Sequence, residues 1–591
     1  MGDVGTTVSQ IRIRAISASM QLDVKSAAGG NNPEGCHPIH RRNAMRQSRT
    51  VLMWVLAVAL LAALPIAPAL ADPPTIPADK LLTSPGNVPP VPRAMPDLQP
   101  YWNFDPPKHP LFDINKLTIS GDMRVRPELR SNGSFGVNTT GLGRLAPNDS
   151  RNDQFVQQWM RLGINYAIAP DVDVFFQEQY AKTWGATNQG CTAGVCSNDA
   201  FNTNATNTAN NLFTRQAWIM IRNIGIDGLS LKAGRQLVVM GNHRLFGHFD
   251  WANTGFSHDG ITFQYNQPMY EIWGGWVRVA DLDPGLNNPT VGVLPPGAAG
   301  ASANNDVNMT FMRLAWKPMA GLAIEPLWVY FKSNAANIGG VGFAGNSVQA
   351  HAPDQNRHTL GSRIAYRQGI FDATAEGYWQ TGSMGLAASP NGSRLHINAE
   401  AFAATAGVTL KDVPTSPRLG IEFNYASGDG NAGTCNSTTG AGCGGNANTF
   451  ENLYPTNHII MGYADVMAWR NMVGYSGDLQ LKPTKESHFE AKFWLFRKAN
   501  SGDCWYRAAQ NCYFTQTSAN TGGAASSSSL AKELDLIYTL FFKDNKVAWQ
   551  LGGSYLWAGQ YLDQIAAGNA ASNGPAPVNQ IWAYTQLHVN F

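Results

Sequence analysis

The sequence predicts an all-β chain: a transmembrane, antiparallel, up-and-down β-barrel of about eighteen strands. Three observations predict it. The chain closes on an alternating strand, with Ile581, Ala583, Thr585, Leu587, Val589 and Phe591 on one face and Trp582, Tyr584, Gln586, His588 and Asn590 on the other. A tilted strand of roughly ten residues crosses an apolar band, and a terminal aromatic is a common ending of bacterial outer-membrane barrels. Connections also alternate strictly between short turns and long polar segments, as they do where short periplasmic turns face long external loops. Finally, mean hydropathy is −0.22 and 14% of residues are charged. That is too polar for a helical membrane protein, but a barrel wall needs apolar residues only at alternate positions.

Residues 1–44 carry no recognisable pattern, and Met45 stands where a signal peptide would begin. Arg41, Arg42, Arg46 and Arg49 precede the apolar run from Val51 to Leu64, which is followed by Pro65, Pro68 and Ala69-Leu70-Ala71. A basic n-region, a short h-region and an A-x-A site make 45–71 a secretory signal peptide, with Asp72 as the mature N-terminus. The two prolines and the early end of the run argue against an anchor. Residues 72–115 form a periplasmic segment and 116–591 the barrel, with no linker rich in proline or charge after residue 115.

The candidate strands run near 117–130, 155–169, 172–183, 212–222, 229–238, 259–265, 270–279, 306–317, 322–332, 357–367, 371–381, 395–410, 418–427, 470–482, 487–498, 530–542, 547–558 and 581–591. In the first, Leu117, Ile119, Met123, Val125 and Leu129 oppose Asp122, Arg124, Arg126, Glu128 and Arg130. Side chains alternate across a strand, and a charge on the lipid face costs about 2–4 kcal/mol at midplane, so the charged face lines the lumen. Later strands repeat the pattern, with Leu534, Leu536, Tyr538 and Leu540 against Glu533 and Asp535, and Phe489, Ala491, Phe493 and Leu495 against His488, Glu490 and Lys492. Trp316, Trp328, Trp379, Trp549 and Trp557 fit interfacial girdles. The stretches 172–183, 212–222 and 229–238 alternate poorly, leaving the faces of Arg215 and Arg235 open. Short turns include Ala169-Pro170-Asp171, Pro318-Met319-Ala320 and Asp544-Asn545.

Apart from Cys36, the cysteines fall as Cys191 with Cys196, Cys435 with Cys443, and Cys504 with Cys512, each pair within one polar loop. Close pairs in loops of an exported chain read as local disulfides. No Cys-x-x-Cys occurs, which disfavours zinc and covalent haem. Gly428-Asp429-Gly430-Asn431-Ala432-Gly433 spells a dinucleotide fingerprint but leads into Cys435-Asn436-Ser437 rather than a helix, so it reads as a loop tip. His243, His248, Asp250, His258 and Asp259 cluster without the spacing of a metal site. No hydrolase motif stands out, so the reading is a non-enzyme with no cofactor or metal and no nucleic-acid partner.

Two stretches carry a family resemblance. One runs through Leu231-Lys232-Ala233-Gly234-Arg235-Gln236, Gly241, Arg244-Leu245-Phe246-Gly247, Trp251 and His258-Asp259-Gly260. The other runs from Phe450-Glu451-Asn452-Leu453-Tyr454-Pro455-Thr456-Asn457-His458 through Gly462-Tyr463-Ala464-Asp465 to Trp469-Arg470-Asn471-Met472. Together they resemble the alginate export family, over most of 115–591. The resemblance implies an eighteen-stranded pore in the outer membrane of a Gram-negative-type bacterium, with an arginine-rich lumen that conducts an anionic polysaccharide and loops that gate it. Guanidinium pairs carboxylate bidentately and keeps its charge, which suits a polyuronate. Arg124, Arg126, Arg130, Arg161, Arg363 and Arg470, with Lys492, are the candidate pore lining, and the resemblance adds Arg235 and Arg244. The alternative role for each is pairing with interior carboxylates such as Asp122, Glu128, Glu376 and Glu422. Expected partners are outer-membrane lipid, the polysaccharide and a periplasmic export or scaffold protein. Two other functions fit the same fold: a general anion-preferring porin, and a structural sheath around an electron-transfer partner.

Overall fold

The computed structural model describes residues 112–114, 116–136, 153–184, 212–280, 307–333, 355–385, 394–430, 446–508, 512–514, 527–567 and 577–591. A short strand β1 (Phe112–Ile114) leads into the wall: β2 (Leu117–Ser131), β3 (Asp153–Ala169), β4 (Val172–Thr183), β5 (Leu212–Ile221), β6 (Leu229–Gln236), β7 (His258–Asn266), β8 (Tyr270–Ala280) and β9 (Val307–Met319). It continues with β10 (Leu322–Ser333), β11 (Gln355–Gln368), β12 (Phe371–Gly385), β13 (Arg394–Thr409) and β14 (Arg418–Ala426), where the two-residue β15 (Asn446–Ala447) lies parallel to β13. Then follow β16 (Met472–Leu481), β17 (Ser487–Arg497), the small hairpin β18 (Trp505–Tyr506) and β19 (Cys512–Phe514), and the wall strands β20 (Ser529–Phe542), β21 (Val547–Ala558) and β22 (Gln580–Asn590).

Setting aside β1, β15 and the small hairpin, eighteen strands pair antiparallel with their neighbours, and β22 pairs back onto β2, closing the sheet. Closure satisfies every edge, which a strand in lipid requires. At the seam the backbone of Phe591 exchanges hydrogen bonds with Gly121 (2.7 and 2.9 Å). A Cβ on Gly121 would stand 2.6 Å from the Phe591 ring, so only glycine admits the terminal aromatic at this height.

The alternation holds wherever the sequence shows it cleanly. Asp122, Arg124, Arg126, Glu128 and Arg130 are buried inside, while Leu419 and Ile421 are 58% and 67% exposed on the lipid side. Trp316, Trp379 and Trp549 are among the exposed outward aromatics. At the β20–β21 turn Lys543, Asp544 and Asn545 all take positive φ (55°, 56° and 64°), a conformation Asp and Asn tolerate better than most residues.

Alternation fails on β5 for a definite reason. Gln216 pairs with Gln177, but the next pair is Thr214 with Glu178, so Arg215 is the additional residue of a bulge. Arg215 and Gln216 therefore both point inward, each 1% exposed.

Candidate functional site

The lumen is occupied by the chain itself. Residues 237–257, between β6 and β7, and 448–471, between β15 and β16, run inside the wall, and from 449 to 471 every residue but Ile459 is buried. Neither arm has a period; each side chain answers to a different neighbour. The arms join through a parallel bridge between Phe246 and Tyr454. Gly247 N donates to Tyr454 O (2.7 Å), Tyr454 N to Leu245 O (2.9 Å), and Thr456 N to His243 O (3.0 Å). A Cβ on Gly247 would lie 2.0 Å from Thr456 Oγ1, so glycine is what allows the approach. Val238, Leu245, Phe246, Phe249, Phe450, Tyr454, Met461 and Trp469 share one apolar cluster with the inner wall.

Four of the predicted arginines, Arg124, Arg126, Arg130 and Arg161, hold these arms, joined by Arg215, whose face the sequence leaves open. Arg161 on β3 makes a two-pronged contact with Asp250 (Nη1 to Oδ2 2.9 Å, Nη2 to Oδ1 2.8 Å), and Arg215 on β5 donates to Oδ1 at 2.7 Å. Arg124 donates to the carbonyls of Asp250 (2.7 Å) and Trp251 (3.1 Å). Arg126 bonds Glu128 (2.7 Å) and the Trp251 carbonyl (2.9 Å). Two stacks tie wall to arm. The Trp159 ring lies between the guanidiniums of Arg124 and Arg161, 3.6 and 3.8 Å from its centroid. Trp251 lies between Arg126 at 3.5 Å and the parallel His458 ring at 3.7 Å. Cation–aromatic contacts out of water are worth about 2 kcal/mol each.

Arg130 donates to the Ala464 carbonyl (3.0 Å) at the turn of the second arm, and Ala464 N donates to Glu533 on β20 (2.9 Å). Arg470 belongs to the second arm rather than to β16, bonds Glu451 at 3.0 Å and lies over Tyr506. Arg244, on the first arm rather than the wall, crosses the lumen to Glu376 on β12 (2.6 Å) and to Glu422 and Asn424 on β14. Lys492 meets the same Glu422 at 2.7 Å, and Arg363 pairs with Glu325 at 2.9 Å. The alternative role, pairing with interior carboxylates of the wall, is thus what Arg126, Arg244, Arg363 and Lys492 perform in this structure. Asp122 faces His588 across the seam at 3.0 Å.

Arg235 does not line the pore. Alternation on β6 turns Gln236 inward, 1% exposed, so Arg235 faces outward, where it pairs with Asp259 at 2.9 Å with both side chains substantially exposed. The clustered histidines form no metal centre; among the described residues no group of three or more possible ligands converges. His248 Nδ1 accepts from Asp250 N (2.9 Å), and the His243 and His248 rings meet edge-on. Cys191, Cys196, Cys435 and Cys443 lie outside the described residues, as do most of the proposed presequence and periplasmic segment. Cys504 is buried, and the small hairpin brings the Cys512 backbone opposite Tyr506.

The arms' charges are tuned by the same contacts. Burial raises the Asp250 carboxyl, but Arg161, then His248 and Arg215, outweigh it and hold it well below the usual carboxylate range. Glu451 is likewise pushed up by burial and brought down further by Arg357 and Arg470. Burial lowers His458, and Asp465, 2.9 Å from Nδ1, only partly offsets it. The ring is therefore held neutral.

A barrel closed by β2 and β22 and filled by inward arms invites comparison with known channels. The sequence pattern of the family described as Alginate export matches residues 115–573, well over half of the chain. The chain belongs to the alginate export family. Members of this family are outer-membrane β-barrels, and the protein is a Gram-negative outer-membrane protein whose family and architecture are those of channels. No curated protein matches it. Among solved structures it resembles OccAB4 of Acinetobacter baumannii (9% identity, 81% of this chain and 99% of that one, TM-score 0.45). It also resembles OccK11 (OpdR) of Pseudomonas aeruginosa (10%, 80% and 96%, TM-score 0.43) and OpdK of the same organism, solved with vanillate (8%, 80% and 99%, TM-score 0.44). Likeness at this level carries no inference about what this alginate export protein conducts.

Proposed function

We propose that this member of the alginate export family is a passive outer-membrane channel for an anionic polysaccharide of the polyuronate type, and that the two arms hold it closed in this structure. The supporting observation is the sector of inner wall carrying Arg124, Arg126 and Arg130 on β2, Arg161 on β3 and Arg215 at the bulge of β5, which outnumber the buried carboxylates Asp122 and Glu128 of β2 and Asp173 of the intervening β4. Withdrawal of the arms leaves this sector with excess positive charge facing water, which suits a polymer bearing a carboxylate on every sugar. A sheath would need the lumen for its guest, and here the chain's own arms fill it. A general anion-preferring porin differs by passing chloride without recognising oligomers. Cleavage after Ala71, three local disulfides within external loops, and a periplasmic scaffold that delivers the polymer complete the proposal.

The test is reversal potential in planar bilayers under a salt gradient, for the wild type and for Arg124, Arg126, Arg130 and Arg363 replaced together by Gln. Anion preference that falls in the variant, together with weaker block by oligouronates, supports the reading. A cation-selective wild type, or a variant with unchanged selectivity and block, overturns it.

A further inference from the structure

Asp250 is the one point where the first arm presents a carboxylate to the arginine sector. Its two oxygens take the forked pair from Arg161 at 2.8 and 2.9 Å, and Oδ1 is shared with Arg215 at 2.7 Å. Arg124 reads the adjoining carbonyl at 2.7 Å. All three guanidiniums come from the wall, and Asp250 comes from the arm. The same cradle is flanked by Trp159, packed between Arg124 and Arg161, and by Gln179, which accepts from Arg161 Nε (2.9 Å) and donates to the Asn253 carbonyl of the arm (2.5 Å).

We propose that Arg161, Arg215 and Arg124 form a binding site for a single carboxylate of the transported polymer, and that Asp250 fills it in the closed channel as an internal stand-in that a polyuronate displaces. The inference rests on the channel reading above and adds the means by which substrate opens the channel. Removing Asp250 alone leaves buried guanidiniums without their counter-charge, which is strongly unfavourable. Exchanging it for another carboxylate keeps the charge count and the fork–fork geometry, so the exchange meets no such penalty. Gln179, released from Asn253, then has an amide to offer a sugar hydroxyl. A neutral oligosaccharide has no charge to exchange for Asp250, and chloride offers a single acceptor atom where Asp250 presents two oxygens to Arg161 and Arg215. Selectivity and opening thus fall to one site.

The experiment uses the full mature channel in planar bilayers, with an oligouronate and a neutral oligosaccharide of equal length as probes. In the wild type the oligouronate raises the frequency of opening events roughly tenfold, within the usual range of coupling between sites, while the oligomer in transit blocks current within each event; the neutral oligomer does neither. Asp250→Asn, which keeps shape and removes charge, is open without oligomer, gains nothing from it and retains anion preference. Hydrogen exchange of the arm gives a readout that needs no variant: oligouronate should speed exchange at Gly247 and Phe256, whose amides are bonded in the closed state at 2.7 and 2.8 Å. Three results overturn the proposal: equal opening by the neutral oligomer, an asparagine variant that gates like the wild type, or arm exchange indifferent to oligouronate. If these occur while the wild type remains anion-selective and oligouronate-blocked, the channel reading survives. A cation-selective wild type ends both.

Discussion

Gly247→Ala should open the channel without weakening the barrel. The added Cβ would stand 2.0 Å from Thr456 Oγ1 and 2.9 Å from Thr456 N, so the arms must part. Thr456 Oγ1 accepts the Phe249 amide at 3.0 Å, and Gly247 N donates to Tyr454 O at 2.7 Å; a shift of the second arm stretches both. Overpacking costs about 1–3 kcal/mol and a weakened hydrogen bond about 1 kcal/mol, so about 2–4 kcal/mol leaves the closed arrangement. At 1.4 kcal/mol per tenfold, the closed-to-open ratio falls by roughly 30- to 700-fold. The control is Gly477→Ala on the lipid face of β16, where a Cβ has only Gly420 O, at 3.9 Å, within reach. Single-channel recording should show long open events in Gly247→Ala and none in the control, with the same heat-modifiable migration on gels for both. Wild-type gating in Gly247→Ala would refute the claim that the contact between the arms keeps the lumen shut.

The arms should also loosen in acid, in two stages. His458 is held neutral below its ordinary pKa, so the arms lose stability as pH falls below about 6.5, and His458→Asn should remove this stage from the conductance–pH curve. Asp250 and Glu451, whose folded pKa values are depressed, stabilise the arms above about pH 4 and lose that contribution as pH falls further, so a second rise in conductance should follow there. Deleting Phe591 should impair assembly rather than conduction, because the seam at Gly121 loses its last hydrogen bonds; normal heat-modifiable migration of the truncated chain would count against this. N-terminal sequencing of outer-membrane protein should begin at Asp72, and finding Val51–Leu64 still attached would rule out the signal reading. Non-reducing peptide maps should link Cys191 to Cys196, Cys435 to Cys443 and Cys504 to Cys512, whereas cross-loop links would refute the loop assignment.

The wall was legible because lipid on one side and a wet or packed lumen on the other impose a period of two, and strands such as β2 and β20 carry it with charges on the inner face. Two of the three poorly alternating stretches were opaque for local reasons. In β5 a bulge doubles the inward residues at Arg215 and Gln216, and in β6 Lys232 turns inward over Trp218 while Arg235 faces out to Asp259. Both arms carry the family resemblance, but their inward course was not legible from the residues. Residues 241–260 read as a polar loop because no repeat orders them, and nothing in the spacing of Asp250 shows that its carboxylate meets Arg161, 89 positions earlier. Arg124, Arg126, Arg130, Arg161 and Arg363 are buried within the wall while Arg235 is not, and the counter-charge of Arg161 arrives from a segment that must fold inward before it can be counted.

The same geometry constrains how the molecule can be built. Arg124 and Arg126 on β2 and Trp582 and Tyr584 on β22 all touch Trp251, and these are the two strands that zip the cylinder shut. A segment held by groups on both sides of a seam ties the two closing strands to each other through the lumen as well as along their shared edge. While it is seated the first arm braces the closure from within, so the C-terminal strand is at once the final stave of the cask and part of the latch on its contents.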